Sequence, residues 1–394
     1  MFMKNLALYF DYAATTPVDE RVIEVMVQCL GRAGNFGNPA SNSHAYGRDA
    51  RSSVDVARQQ VADLVGAQAS QIIWTSGATE SNNLALKGVA QDHAERRGTA
   101  GGHIITSQIE HKAILDTAQQ LQGAGFDVTY LAPDADGLIS AEAVANVLRE
   151  DTFLVSLMLV NNELGTLNDI ARIGDLVREH GALFHVDAAQ GAGKVRIDLA
   201  GLAVDLMSFS AHKIYGPKGI GALYVGPRAE QRIQAQIHGG GHESGLRSGT
   251  LATHQIAGMG AAFALAQTLL EEETAHIQHL NDLLCTRLAD LPGLRINGDP
   301  AQRIPHTLSL TFGNNDLDIA ALGNGLAFSS TSACNSAKNT PSHVLLALGH
   351  DAKAASQTIR LSLGRFTSDE EIERAATLIR AARLQPAFWA VAQS

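Results

Sequence analysis

A lysine at the mouth of a buried strand is the first residue with chemistry to offer. Leu206-Met207-Ser208-Phe209-Ser210 is an apolar run that ends in Ala211-His212-Lys213 and is followed by the glycine-rich Gly216-Pro217-Lys218-Gly219-Ile220-Gly221. Lys213 therefore stands where a strand meets a turn, and its amine can form an imine with an aldehyde. A lone loop lysine is ordinarily just solvated, so its company decides. Upstream, Phe184-His185-Val186 runs into Asp187, with Gln190 three residues on. A carboxylate there suits a charge-assisted hydrogen bond to a ring nitrogen, although an Asp at a strand end often only caps a turn. Gln190 can donate to a phenolic oxygen on the same ring. A third segment, Ile72-Ile73-Trp74-Thr75-Ser76-Gly77-Ala78-Thr79-Glu80-Ser81-Asn82-Asn83, reads as strand, small-residue turn and helix. Free N–H groups and the helix dipole at Gly77–Thr79 suit a phosphate, and equally a plain capped helix. His111 follows a further apolar run and can lie over a planar ligand, whereas a stray loop histidine is only solvated.

An imine-forming amine, an acid for a ring nitrogen and a phosphate cup are together what pyridoxal phosphate requires. Between about residues 50 and 225, short apolar runs alternate with longer helical patterns. Strands are predicted at Ile72–Thr75, His103–Thr106, Asp127–Leu131, Phe153–Leu159, Leu183–Val186, Leu206–Phe209 and Ala222–Val225. Runs apolar on both faces indicate a mostly parallel sheet covered by helices, whose ligands bind at the carboxyl ends of the strands. The candidate residues fall just there. Past residue 260 the pattern changes to a long helix over Met259–Leu291, a strand at Thr307–Thr311, a polar segment at Ser329–Pro341, a strand at Thr358–Leu363 and a last helix whose capping box is Ser368 with Glu371. The predicted division is a large domain over 16–262 and a smaller α+β domain formed by 1–15 and 263–394.

With 394 residues the chain exceeds the size at which one core stops growing, and 45% apolar against 18% charged residues describes a globular protein. No run approaches the roughly 18 apolar residues that span a bilayer, and the run Leu6–Phe10 stops at Asp11, too short for a signal peptide, so a cytoplasmic location is expected. A net charge of −10 argues against direct nucleic-acid binding. The three cysteines, Cys29, Cys285 and Cys334, form neither a disulfide framework nor a metal motif. Cys29 and Cys285 lie in apolar helical patterns, the ordinary setting of a buried inert thiol, whereas Cys334 lies in the small, polar segment Ser329–Pro341 and is expected to be accessible.

The sequence resembles class V, fold type I pyridoxal-phosphate enzymes, and among them the NifS/IscS-type cysteine desulfurases. The likeness runs along most of the chain. It is carried by Asp11-Tyr12-Ala13-Ala14-Thr15-Thr16-Pro17, Phe36-Gly37-Asn38-Pro39-Ala40-Ser41, Thr75–Asn83, Glu110-His111-Lys112, Asn161-Asn162-Glu163-Leu164-Gly165, His185–Gln190, Ser208–Lys213, Gly239–Thr250 and Ile359–Phe366.

The resemblance implies that Lys213 binds the cofactor covalently, Asp187 contacts its ring nitrogen and Gln190 its phenolic oxygen. His111 stacks on the ring and shuttles protons, and Asn162 also lies at the ring. Ala78, Thr79, Ser210 and His212 hold the phosphate. Thr250 reaches the phosphate of a neighbouring subunit, which implies a homodimer. Arg360 clamps the substrate carboxylate, a task suited to a planar bidentate donor. Cys334 is the nucleophile that takes sulfur from L-cysteine as a persulfide, leaving L-alanine. No resident metal is expected, and transient iron–sulfur ligation by Cys334 stays open. The sulfur is destined for an acceptor protein in iron–sulfur cluster assembly or in tRNA or cofactor thiolation. Selenocysteine lyase activity and a non-catalytic scaffold role are the alternatives. The sequence departs from the family pattern at Ala211, where glycine is usual, and at Thr331 and Asn335 beside Cys334. It ends soon after Trp389, short of the tail by which housekeeping members dock their scaffold, so the identity of the acceptor is left open.

Overall fold

Successive residues of the central strands turn to opposite faces, and both faces are buried. Leu154, Leu183, Leu206 and Leu223 enter one hydrophobic cluster, whereas Val155, Phe184, Met207 and Phe209 enter another. A strand buried on both sides has no polar alternation to show, which is why these segments read as continuous apolar runs. The computed structural model describes residues 7–313, 317–330 and 341–383.

After the short strand β1 (Leu8–Tyr9), a large sheet is built from β2 (Ile72–Thr75), β3 (His103–Ser107), β4 (Asp127–Leu131), β5 (Thr152–Met158), β6 (Leu183–Asp187), β7 (Leu206–Ser210) and β8 (Gly221–Val225). Their order is β2-β8-β7-β6-β5-β3-β4, and β8 runs opposite to the other six. The helices Ala78–Arg97 and Lys112–Gly123 bring Leu84, Leu86, Ile114 and Leu121 to one face of the sheet. Ala45–Val65 and the first half of Thr253–Leu288 bring Val54, Val61, Met259 and Phe263 to the other. Phe209 and Phe263 are fully buried and meet edge to face with ring centroids 6.1 Å apart. Truncating Phe263 to alanine would cost about 3–5 kcal/mol.

The remaining strands are β9 (Leu294–Asn297), β10 (Thr307–Phe312), β11 (Leu326–Ala327) and β12 (Thr358–Ser362). An antiparallel sheet has the order β12-β10-β9, and β1 pairs in parallel with β11. Phe10, Leu310, Phe312, Ile359, Leu361, Ile372 and Ile379 form a separate core there. The last helix, Asp369–Arg383, begins with the reciprocal bonds of its capping box, Ser368 N to Glu371 Oε2 at 3.0 Å and Glu371 N to Ser368 Oγ at 3.2 Å.

The long helix differs from its sequence-based prediction, because it begins at Thr253 rather than near Met259 and crosses the proposed boundary at 262. Gly258 and Gly260 obscure its start in the sequence. A Cβ at Gly258 would come within 2.7 Å of Met26 Cγ, and one at Gly260 within 2.5 Å of Ala57 Cα, so both are sites of close helix packing and not breaks. Among the described residues no helix is long and apolar enough to cross a membrane.

Candidate active site

The carboxyl ends of β5, β6 and β7, together with the turns after β2 and β3, surround a cavity of about 460 Å³. Lys213, Asp187, Gln190, His111, Asn162, Ala78, Thr79, Ser210, His212 and Arg360 all line it. The predicted residues thus converge from segments far apart in sequence. Thr250 is exposed and does not line this cavity. Cys334, Thr331 and Asn335 lie outside the described residues, as does Trp389.

Lys213 closes a single 3₁₀ turn after β7, and its Nζ donates to the carbonyl oxygens of Ala13 at 2.6 Å and Ala14 at 2.8 Å. The chain then reverses sharply through Tyr215, whose φ of 65° is unusual for a residue with a side chain. Tyr215 N donates to Thr16 Oγ1 at 2.7 Å, and the Arg365 guanidinium lies 4.0 Å from the ring centre. These contacts hold a turn that costs on the order of 1–3 kcal/mol in backbone strain. Ala211 is accommodated because position 216 is glycine. A Cβ on Gly216 would sit 2.8 Å from Ala211 Cβ.

Asp187 ends β6 with both oxygens engaged: Asn82 Nδ2 donates to Oδ2 at 2.7 Å and Ala189 N to Oδ1 at 2.9 Å. These donors fix the plane of the carboxylate toward the cavity. Asn82 had no role in the sequence reading. It lies in the second turn of the helix Ala78–Arg97, on a face that only the fold turns toward β6.

Gly77 precedes that helix without a side-chain cap, and among the described residues no side chain takes up the first-turn N–H groups. Gly221 of β8 permits this approach, since a Cβ on it would lie 2.6 Å from Gly77 Cα. His212 Nδ1 is 3.1 Å from Thr15 Oγ1, and burial lowers its pKa to about 4, which keeps the ring neutral near pH 7. His111 caps the helix Lys112–Gly123, its Nδ1 accepting from Ala113 N at 3.1 Å. Burial lowers its pKa as well, with nearby Asp187 opposing. The cap requires a bare Nδ1, so the neutral ring carries its proton on Nε2.

Behind His111, Glu110 is wholly buried. Its Oε1 accepts from Ser107 Oγ at 2.7 Å and from Met158 N at 3.1 Å, and burial pushes its pKa up to about 8. Arg360 on β12 reaches the cavity from the other sheet, donating to Asp11 Oδ1 at 2.8 Å, Ser329 Oγ at 2.9 Å and the Asn162 carbonyl at 2.9 Å. Its Nε is buried and has no hydrogen-bond partner among the described residues. The segment Asp11–Thr16 therefore ties together the arginine, the lysine and His212.

The donor set fits pyridoxal phosphate. The lysine amine, an oriented carboxylate, an imidazole and uncapped helix N–H groups face one cavity whose volume lies within the usual range for a cofactor site. The two other cysteines lie elsewhere. Cys29, just past the helix Glu20–Val27, is buried, and burial raises its pKa. Cys285 is only partly buried, which corrects its expected full burial, since its place on the long helix leaves one side open. Its Sγ donates to Asn281 Oδ1 at 3.5 Å.

The aminotransferase class-V family model matches residues 8–375. The cysteine desulfurase IscS of Pseudomonas putida is 56% identical over 373 residues, which are 94% of this chain and 91% of that protein. Among solved structures, a NifS-like protein superposes with a TM-score of 0.86 at 38% identity, covering 95% of this chain and 99% of that one. A structure described as SspA in complex with cysteine has a TM-score of 0.81 at 40% identity, covering 91% of this chain and 99% of its own. With the matched region spanning both sheets and every strand that lines the cavity, the chain belongs to the aminotransferase class-V family.

Proposed function

We infer that the chain is a pyridoxal-phosphate-dependent cysteine desulfurase, converting L-cysteine to L-alanine with transfer of sulfur to Cys334. The observation that carries this reading is the convergence of Lys213, Asp187, Gln190, His111 and Arg360 on one cavity. Pyridoxal phosphate, when bound, supplies the electron sink for the carbon that loses its proton.

The chain's own residues divide the remaining work. Arg360 binds the substrate carboxylate and thereby aims the α-carbon. Lys213 Nζ, already aimed into the cavity by two carbonyl acceptors, takes the α-proton. Asp187 holds a proton on the ring nitrogen, and Gln190 donates to the ring oxygen. Ala78, Thr79, Ser210 and His212 bind the phosphate, while Asn162 and His111 lie at the ring. His111 Nε2 carries a proton that it can pass to or from the substrate thiol. The Cys334 thiolate attacks the substrate sulfur, the carbon–sulfur bond breaks, and the protein keeps a persulfide.

The domain division at 16–262, Thr250 reaching the partner's phosphate in a homodimer, a sulfur-acceptor protein as the onward partner and a cytoplasmic setting belong to the same reading. Thr250 supports the dimer by standing exposed and outside the cavity of its own chain. Incubating the pyridoxal-phosphate-loaded protein with L-cysteine tests the whole reading. Alanine and persulfide should form in step, and a preparation that takes up no pyridoxal phosphate would favour the scaffold alternative.

A further inference from the structure

Gln190 is held from behind by a residue that carries no role in the reaction as described. Lys194 lies four residues further on, and its Nζ donates to Gln190 Oε1 at 2.7 Å. At the other end of the same amide, Nε2 donates to the Ala13 carbonyl at 2.8 Å, the oxygen that also accepts from Lys213. An amine near neutrality, protonated or not, presents N–H to donate, and a backbone carbonyl can only accept. A flipped amide would set NH₂ against the amine and oxygen against oxygen. The Ala13 carbonyl therefore selects this orientation, in which Nε2 keeps a second hydrogen to donate, and Gln190 lines the cavity.

Resting on the proposed function, we propose that Lys194 is a positioning residue that locks the Gln190 amide so that its N–H is presented to the ring oxygen of pyridoxal phosphate. The setting of Lys194 is specific. It retains some surface exposure, yet protein crowds its amine enough that burial lowers its pKa to about 7, helped by Lys213 and Arg360 and opposed by Glu273. His306 also faces it, buried, with neither ring nitrogen hydrogen-bonded among the described residues. Glu273 does not depend on Lys194 for a partner, since Arg365 donates to its Oε2 through Nε at 2.9 Å and Nη2 at 2.8 Å. Replacing Lys194 thus orphans the Gln190 carbonyl and not a carboxylate.

The test is a double-mutant cycle read by pyridoxal phosphate itself: its dissociation constant from the apo-protein and the position of its visible absorption band. Lys194→Met should weaken binding about fivefold, the size of one lost hydrogen bond, and shift the band. Lys194→Arg keeps a donor and should restore most of both, which separates positioning from a folding defect. In a Gln190→Ala background, Lys194→Met should change nothing further. Additive effects, or a Lys194→Met protein with unchanged affinity and band, would overturn the proposal while leaving the function intact. If Gln190→Ala alone moved neither quantity, the placing of Gln190 at the ring oxygen would fail, and the proposal with it. A parent protein that bound no pyridoxal phosphate would overturn the function reading first.

Discussion

Arg360 donates to Asp11 at 2.8 Å although 349 positions separate them in the chain. Ser329 Oγ shares the same carboxylate oxygen at 3.0 Å, so the guanidinium is fixed from one side before any substrate arrives. Such fixing matters because a fork of donors recognises a carboxylate by its plane as well as its charge. Arg360→Lys keeps the charge and loses the fork. It should raise KM for L-cysteine about tenfold or more with a smaller effect on kcat, and Asp11→Asn should cause a lesser rise. Steady-state kinetics with L-cysteine checks both, and an unchanged KM in Arg360→Lys would remove Arg360 from the clamp.

Lys213→Ala should abolish alanine formation, and borohydride should no longer fix the cofactor to the protein. The amine that reaches the Ala13 and Ala14 carbonyls has no substitute at that position. Retained turnover together with a reducible lysine adduct elsewhere would defeat the assignment.

Asp187→Asn should retain the cofactor while turnover falls by orders of magnitude, since an amide cannot hold a proton on the ring nitrogen as a carboxylate does. Asn82→Ala removes the 2.7 Å bond that orients Asp187 and should cause the same spectral change in weaker form. Absorption spectra alongside turnover rates compare the two.

Glu110 gives a pH prediction. Its ordinary value near 4.5 is raised to about 8 by burial, so the folded protein keeps a proton that the unfolded chain has lost. Stability from this group is complete below about pH 4.5 and is lost as pH rises toward 8. Glu110→Gln mimics the protonated acid, and its amide oxygen can accept from Ser107 and Met158 as the acid does. The variant's melting temperature should match the parent's at pH 5 and exceed it by a widening margin up to pH 8. A margin that stays flat across this range contradicts a protonated Glu110.

Cys334→Ser should still bind L-cysteine, seen as a change in visible absorption, yet form almost no alanine, because a hydroxyl is a poor nucleophile at neutral pH. Cys29→Ser and Cys285→Ser should stay active. Mass spectrometry after brief exposure to L-cysteine should place the added sulfur on the Cys334 peptide. Sulfur on either other cysteine instead would move the nucleophile.

The sequence was most legible where burial on both faces leaves an unbroken apolar run. Phe153–Leu159 and Leu206–Phe209 mark strands for that reason, and Asp187 and Lys213 stand out by ending such runs. The contacts that orient these groups were not legible. Ala13 and Ala14 act through backbone carbonyls, which side-chain identity does not reveal, and they meet Lys213 across about 200 residues of chain. Lys194 looks like any lysine beyond a strand until the fold brings its amine to Gln190. Gly258 and Gly260 mislead in the opposite way, since closeness to Met26 and Ala57 is a property of the folded pair of helices.

The helix Thr253–Leu288 runs 36 residues, about 54 Å at the usual rise, and serves two cores in succession. Ile256, Met259 and Phe263 belong to the core of the large sheet, whereas Ile277, Leu280 and Leu284 belong to the core beside β10 and β12. One rod rooted at both ends transmits melting between the cores, so denaturation should proceed as a single cooperative event. Proline at Thr268, in the stretch between the two sets, would break the rod where neither core depends on it. A calorimetric trace that splits into two endotherms in that variant, each near its own temperature, would mark this helix as the source of the cooperativity.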